Sequence, residues 1–235
     1  AAAAGVEVSM VSKRQFRGSG LTAAGLRGAR YLGADTLGER VAAVTSALSG
    51  RGPGLVYAYD SDLDYTGHAH GWDSAAWRHQ LVHVDRFAEQ IYDELPVGSA
   101  LVVTGDHGMV DVPHSERVDV DATPALQDGV ELVGGEARFR HVYVRPGAVS
   151  DVRAAWREVL GRRAVVSTRD DVVAAGWFGA VESRVLERIG DLVVVSVGGS
   201  AIEVSSVFPF ESRLVGLHGG LSGDEVLVPL LAVSG

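Results

Sequence analysis

Two short, almost uninterrupted apolar runs, residues 55–59 (LVYAY) and 100–104 (ALVVT), flank a long amphipathic stretch. Runs of that length without polar alternation suit strands covered on both faces, the habit of parallel sheets. Between them, 74–95 carries Trp77, Leu81, Val84, Ala88, Ile91 and Leu95 as one stripe, with Asp73 or Ser74 as N-cap and 96–98 as its stop. Upstream, 35–48 places Leu37, Val41, Val44 and Leu48 on one helical face, and 6–12 alternates as a strand does. Residues 1–4 with Gly5 read as a helix end with its glycine cap, 13–34 as surface, and 50–54 (GRGPG) as a turn. Strands alternating with helices predict an α/β fold around a largely parallel central sheet.

The pattern changes after Pro113. Strands at 139–144, 192–197 and 201–204 mix with helices near 150–160 and 169–176. A separation this long is an element in its own right. The expected division is a core of 1–114 and 206–235, with a small α+β cap inserted at 115–205. Ser222-Gly-Asp-Glu225 has capping-box spacing ahead of the apolar run 226–233.

Composition removes several chemistries. There is no cysteine, hence no thiol nucleophile, disulfide, Cys-held zinc or iron–sulfur cluster. The net charge of -9 argues against a nucleic-acid polymer as partner. No apolar run approaches the roughly 20 residues that span a bilayer. Lys13 is the single lysine, so a phosphate-binding Gly-Lys-Ser/Thr loop is absent.

Three polar clusters remain. Asp60-Ser-Asp62-Leu-Asp64-Tyr-Thr-Gly67-His68-Ala-His70-Gly71 follows the first apolar run, and Thr104-Gly-Asp106-His107-Gly108-Met109 ends the second. Gly216-Leu-His218-Gly219-Gly220 precedes the C-terminal run. In a parallel sheet, functional groups collect beyond the carboxyl ends of the strands. Carboxylates and imidazoles together are the donor set of zinc or another borderline divalent metal.

Asp64-x-x-Gly67-His68-x-x-Gly71, Asp106-His107-Gly108-Met109 and His218-Gly219-Gly220, in that order, resemble the alkaline phosphatase superfamily. The similarity is to its type I phosphodiesterase/nucleotide pyrophosphatase branch. The segment 18–22 (GSGLT), Arg27-Gly28-Ala29 and Arg188-Ile-Gly-Asp191 also fit. The resemblance implies two Zn2+, with Mn2+ or Co2+ as substitutes. Asp64, His68 and His218 would hold the first ion, Asp106 and His107 the second. It further implies phosphoryl transfer to a Thr or Ser nucleophile, with a phosphate-ester small molecule, a nucleotide among the candidates, as substrate. That nucleophile and a further Asp ligand have no matching motif before residue 64, so the chain is expected to be a fragment that begins after them and is nearly inactive alone. Trp72 stands where the branch often has Pro, and Gly105 where it usually has Ser or Thr, which puts the usual substrate pocket in doubt.

Other polar residues have plainer readings. Asp60, Asp62 and His70 are expected to be loop or supporting groups. His83 should be a packed or partner-bonded helix histidine rather than a ligand, His114 and His141 surface groups, and Asp85 and Asp111 solvated or capping. Ser19 reads as a turn residue, and Trp156, Trp177 and Phe178 as the core of the insert. Alternatives to the phosphodiesterase are a phosphomonoesterase or phosphonate hydrolase, a sulfatase, or a non-catalytic metal-binding chain if the native protein begins at Ala1. Leaving group, compartment and oligomeric state stay open.

Overall fold

The computed structural model describes residues 1–50 and 52–235. Arg51, part of the turn expected at 50–54, lies outside the described residues. The fold is mixed α/β, and the chain divides into two compact units. One holds Ala1–Tyr65, Ala75–Thr104 and Pro229–Gly235. The other holds Thr66–Ser74 and Gly105–Val228.

In the first unit, Glu7–Ser12 is the middle strand of three parallel strands, flanked by Arg30–Gly33 and Gly54–Ala58. Helices Leu37–Leu48 and Ala75–Asp93 contribute Val41, Val44, Phe87 and Ile91 to a core shared with Val11 and Ala34. Leu37–Leu48 starts where it does because Thr36 and Glu39 cap it reciprocally: each side chain accepts the other's backbone N–H. The stripe on Ala75–Asp93 matches the expected one at Trp77, Val84, Ala88 and Ile91, all buried or half-buried, and adds Phe87. Phe87 is its most deeply covered member besides Ile91, whereas Leu81 and His83 are exposed. His83 is therefore not the packed histidine its position suggested; it stands off the face that meets the core.

The strand expected on both-sided burial also differs. Val56, Ala58 and Leu101 face the core, but Leu55, Tyr57 and Val102 are 49%, 45% and 55% exposed. Ala100–Thr104 pairs antiparallel with Leu230–Ser234 rather than joining the parallel strands. Side chains alternate along a strand, and the second face at these positions is only about half covered. The supposed surface segment 13–34 contributes the strand Arg30–Gly33 and the short helix Gly20–Gly25, which Ser19 caps through the Thr22 N–H.

The second unit is built on an antiparallel sheet in the order Val130–Glu136, Phe139–Val144, Leu192–Ser196, Ala164–Thr168. Leu192–Ser196 is buried throughout, as a continuous apolar run in a central strand should be. Helix Val149–Leu160 lays Val152, Trp156 and Leu160 on this sheet at helical spacing. Trp156 is fully buried and donates its ring N–H to the Leu126 carbonyl. Arg117–Asp119 pairs with Ala201–Glu203, and Val110–Asp111 with Gly216–Leu217. No described strand of 115–205 is hydrogen-bonded into the parallel sheet.

Candidate metal centre

The first polar cluster folds as a helix, Asp62–His70, not as the loop its composition suggests. It has no apolar period to announce it. Its first turn holds Asp62 and Asp64, whose carboxylates suit the helix N-terminus, and its last turn His68 and His70. Asp64 and His68 stand four residues apart, hence on one face.

His68 is anchored twice. Its backbone carbonyl accepts the Val215 N–H at 2.7 Å, and its Nδ1 lies 2.7 Å from the Gly216 carbonyl oxygen. Glycine at 216 is a packing requirement: a Cβ there would lie 2.3 Å from Met109 Sδ and 2.7 Å from the Gly67 carbonyl. Two residues later comes His218, whose ring centroid is 5.3 Å from that of His68. One ligand atom each from Asp64, His68 and His218 lie within 4.8 Å of one another, although His218 is 154 residues beyond Asp64.

The Val110–Asp111/Gly216–Leu217 pairing draws the second and third clusters together. His107 stacks on His218 with centroids 3.6 Å apart and planes at 15°. Its Nδ1 is 2.9 Å from the Gly108 carbonyl, and Asp106 Oδ1 lies 3.8 Å from His107 Nε2. Asp106 is exposed. Among the described residues, Asp106 and His107 join no group of three ligands.

The donor set fits a borderline divalent ion. A carbonyl can only accept, so the Nδ1 of His68 and of His107 carries the proton. Each Nε2 then keeps its lone pair, the arrangement that a carbonyl-oriented metal-binding imidazole uses. Neutral nitrogens beside one carboxylate make a mixed N/O set.

The neighbouring polar residues go elsewhere. Asp60 pairs with Arg40, which is 1% exposed, and Asp62 pairs with Lys13. His70, His79 and His114 are exposed. Asp111 accepts the Trp72 N–H at 3.1 Å; a Cβ on Gly71, whose φ is +94°, would lie 2.6 Å from its carboxylate. His141 is not a surface group: its Nδ1 accepts the Gly190 N–H, and burial lowers its pKa. Only Trp156 is core among the three aromatic residues expected there. Trp177 and Phe178 are 40% and 37% exposed and lie against Phe139.

Two residues were missed by the sequence reading. Arg138 and Glu225 form an ion pair whose side chains are 0% and 1% exposed. Ser222 does begin the helical turn Gly223–Val226, but its hydroxyl donates to Glu225 and accepts no backbone N–H. The capping box fails because Arg138 and the Gly220 N–H take up the Glu225 carboxylate. Capping-box spacing flagged Glu225 for a different reason; Arg138, in a two-residue hairpin turn, gave no signal.

The model of the type I phosphodiesterase/nucleotide pyrophosphatase family matches residues 13–220. The chain belongs to this family. No curated protein matches its sequence. Its fold is similar to that of human ectonucleotide pyrophosphatase/phosphodiesterase 5, at 19% identity and a TM-score of 0.72, covering 96% of this chain and 60% of that one. An inactive variant of the murine counterpart in complex with AMP gives 17%, 0.74, 98% and 61% for the same measures. Phosphonoacetate hydrolase from Sinorhizobium meliloti, in complex with phosphonoformate, gives 21%, 0.67, 98% and 66%. The chain thus spans about three fifths of the ectonucleotide pyrophosphatases.

Proposed function

We propose that this chain is the metal-binding part of a dizinc phosphate-ester hydrolase of the phosphodiesterase/nucleotide pyrophosphatase type. The observation that carries the reading is the meeting of Asp64, His68 and His218 at one point from distant parts of the sequence. In this reading those three residues hold the first zinc, and Asp106 and His107 contribute to the second. Bound zinc would supply Lewis acidity at the phosphoryl oxygens and neutralise charge on the attacking and leaving oxygens.

The chain's own residues do the rest. In this reading the Gly216 and Gly108 carbonyls hold the proton of His68 and His107 on Nδ1, which would leave each Nε2 to an ion. Three protein ligands on the first ion leave a position for substrate, as catalytic zinc requires. The AMP complex of the murine protein favours a nucleotide as the small-molecule substrate.

The test uses the full natural polypeptide with bis-nitrophenyl phosphate. Hydrolysis should be lost to a chelator, return with zinc, and be abolished by His218→Ala. Undiminished turnover in excess chelator, or in that variant, would overturn the reading.

A further inference from the structure

Glu225 is 2% exposed and belongs to none of the three ligand clusters, yet it is bonded to two of them. Its side chain accepts the Gly220 N–H at 2.8 Å, two residues beyond His218, and the Ser222 hydroxyl at 2.6 Å. Its main-chain carbonyl accepts the Gly108 N–H at 2.7 Å, one residue beyond His107. Arg138 grips the same carboxylate with Nε at 2.6 Å and Nη2 at 2.8 Å, and its Nη1 donates to the Ser200 carbonyl at 2.5 Å.

Glycines make these approaches feasible. A Cβ on Gly108 would lie 1.9 Å from the Asp224 carbonyl oxygen, and one on Gly220 2.6 Å from Glu225 Oε2. Beside the same loop, a Cβ on Gly219 would lie 3.1 Å from Glu136 Cβ and 3.4 Å from Phe139 Cβ, at the hairpin that carries Arg138. A buried ion pair contributes little net stability against an apolar pair, because desolvation offsets the attraction. What a fully bonded pair does supply is a fixed position for everything attached to it. Here that means the two loops whose histidines stack at 3.6 Å.

We infer that Arg138 and Glu225 are positioning residues for the metal centre, holding the His107 and His218 loops at the separation that zinc requires. The inference rests on the metal-binding reading above. Burial alone would raise the Glu225 pKa, but the bonds from Arg138, Ser222 and Gly220 outweigh it, and the carboxyl sits below the usual range. It is therefore ionised at neutral pH and able to hold Arg138.

The experiment measures zinc affinity of the 235-residue chain by competition with a chromophoric chelator, alongside the melting temperature of the metal-free protein. Glu225→Gln keeps the size and loses the charge. R138M/E225M removes both charges, so a chain that cannot tolerate a lone buried Arg still has a testable variant. Leu160→Ala, in the core of the same unit, is the control for lost stability alone. Both clasp variants should weaken zinc binding about 10–100-fold, while Leu160→Ala melts earlier and binds zinc as before.

The proposal is overturned if R138M/E225M binds zinc like the parent, or if Leu160→Ala loses as much affinity. Should the parent itself bind no zinc, the metal reading falls, and amide exchange decides the clasp separately. The Gly108 and Gly220 amides should then lose protection in R138M/E225M, and unchanged protection would refute the clasp.

Discussion

Gly108 offers a perturbation whose size follows from geometry. A Cβ added there would lie 1.9 Å from the Asp224 carbonyl oxygen, whereas ordinary contact begins at 3.4 Å. Two backbone segments must therefore part by about 1.5 Å. A parting of that size breaks the 2.7 Å bond from the Gly108 N–H to the Glu225 carbonyl. A partly covered N–H left without a partner costs about 1–3 kcal/mol, and the forced displacement about 1–3 kcal/mol more. Gly108→Ala should thus destabilise the second unit by roughly 2–6 kcal/mol. Urea titration of the metal-free chain, followed by fluorescence of the buried Trp156, reads the change. Gly38→Ala is the control of opposite sign. It lies in the helix Leu37–Leu48 with open space around its Cβ position, and should stabilise by about 0.5–1 kcal/mol. A Gly108→Ala protein within about 0.5 kcal/mol of the parent would refute the claim that this glycine is a close-approach residue.

Two further perturbations test other parts of the structure. Arg40→Met leaves the Asp60 carboxylate, 9% exposed, without its guanidinium and should cost about 3–5 kcal/mol in a denaturant titration. R40M/D60N should recover part of that loss, and no recovery would show that the Arg40 guanidinium over the Phe87 ring, 5.6 Å from its centroid, carries the effect instead. His141 has its pKa lowered by burial, so the unfolded chain takes up this proton more readily than the folded one. Its contribution to stability is present above the ordinary histidine value of about 6.5 and lost as pH falls through that value toward the lowered one. Replacing His141 with Gln should flatten the acid limb of stability against pH; an unchanged slope in thermal melts contradicts this.

Helices with an apolar period were legible in the sequence: Leu37–Leu48 and Val149–Leu160 lie within a residue or two of their expected bounds. So was the central strand Leu192–Ser196, whose run of apolar residues admits full burial. Asp62–His70 was not, because a short helix held by its acidic first turn and by contacts of His68 shows no hydrophobic period. The half-exposed faces of Gly54–Ala58 and Ala100–Thr104 were misjudged for a related reason. An unbroken apolar run reports what a strand can bury, not what is there to cover it.

The candidate ligands were marked in the sequence by the resemblance of three motifs in order to one family, since a single Asp or His beside a glycine has plainer readings as a cap or solvated group. Arg138 was not. A lone Arg in a turn reads as solvated until the fold brings Glu225 to it from 87 residues away. Asp106 and His107 illustrate the limit from the other side: their chemistry was readable, while the stacking of His107 on His218 depends on strand pairing that no local pattern encodes.

The most direct test of the account is a calorimetric zinc titration of the 235-residue chain beside its His218→Ala and His107→Ala variants. The parent should take up one zinc tightly through Asp64, His68 and His218, and a second far more weakly. His218→Ala should lose the tight site, whereas His107→Ala should lose the weak one and keep the tight one. A tight site that survives His218→Ala would contradict the claim that these distant residues form one metal centre.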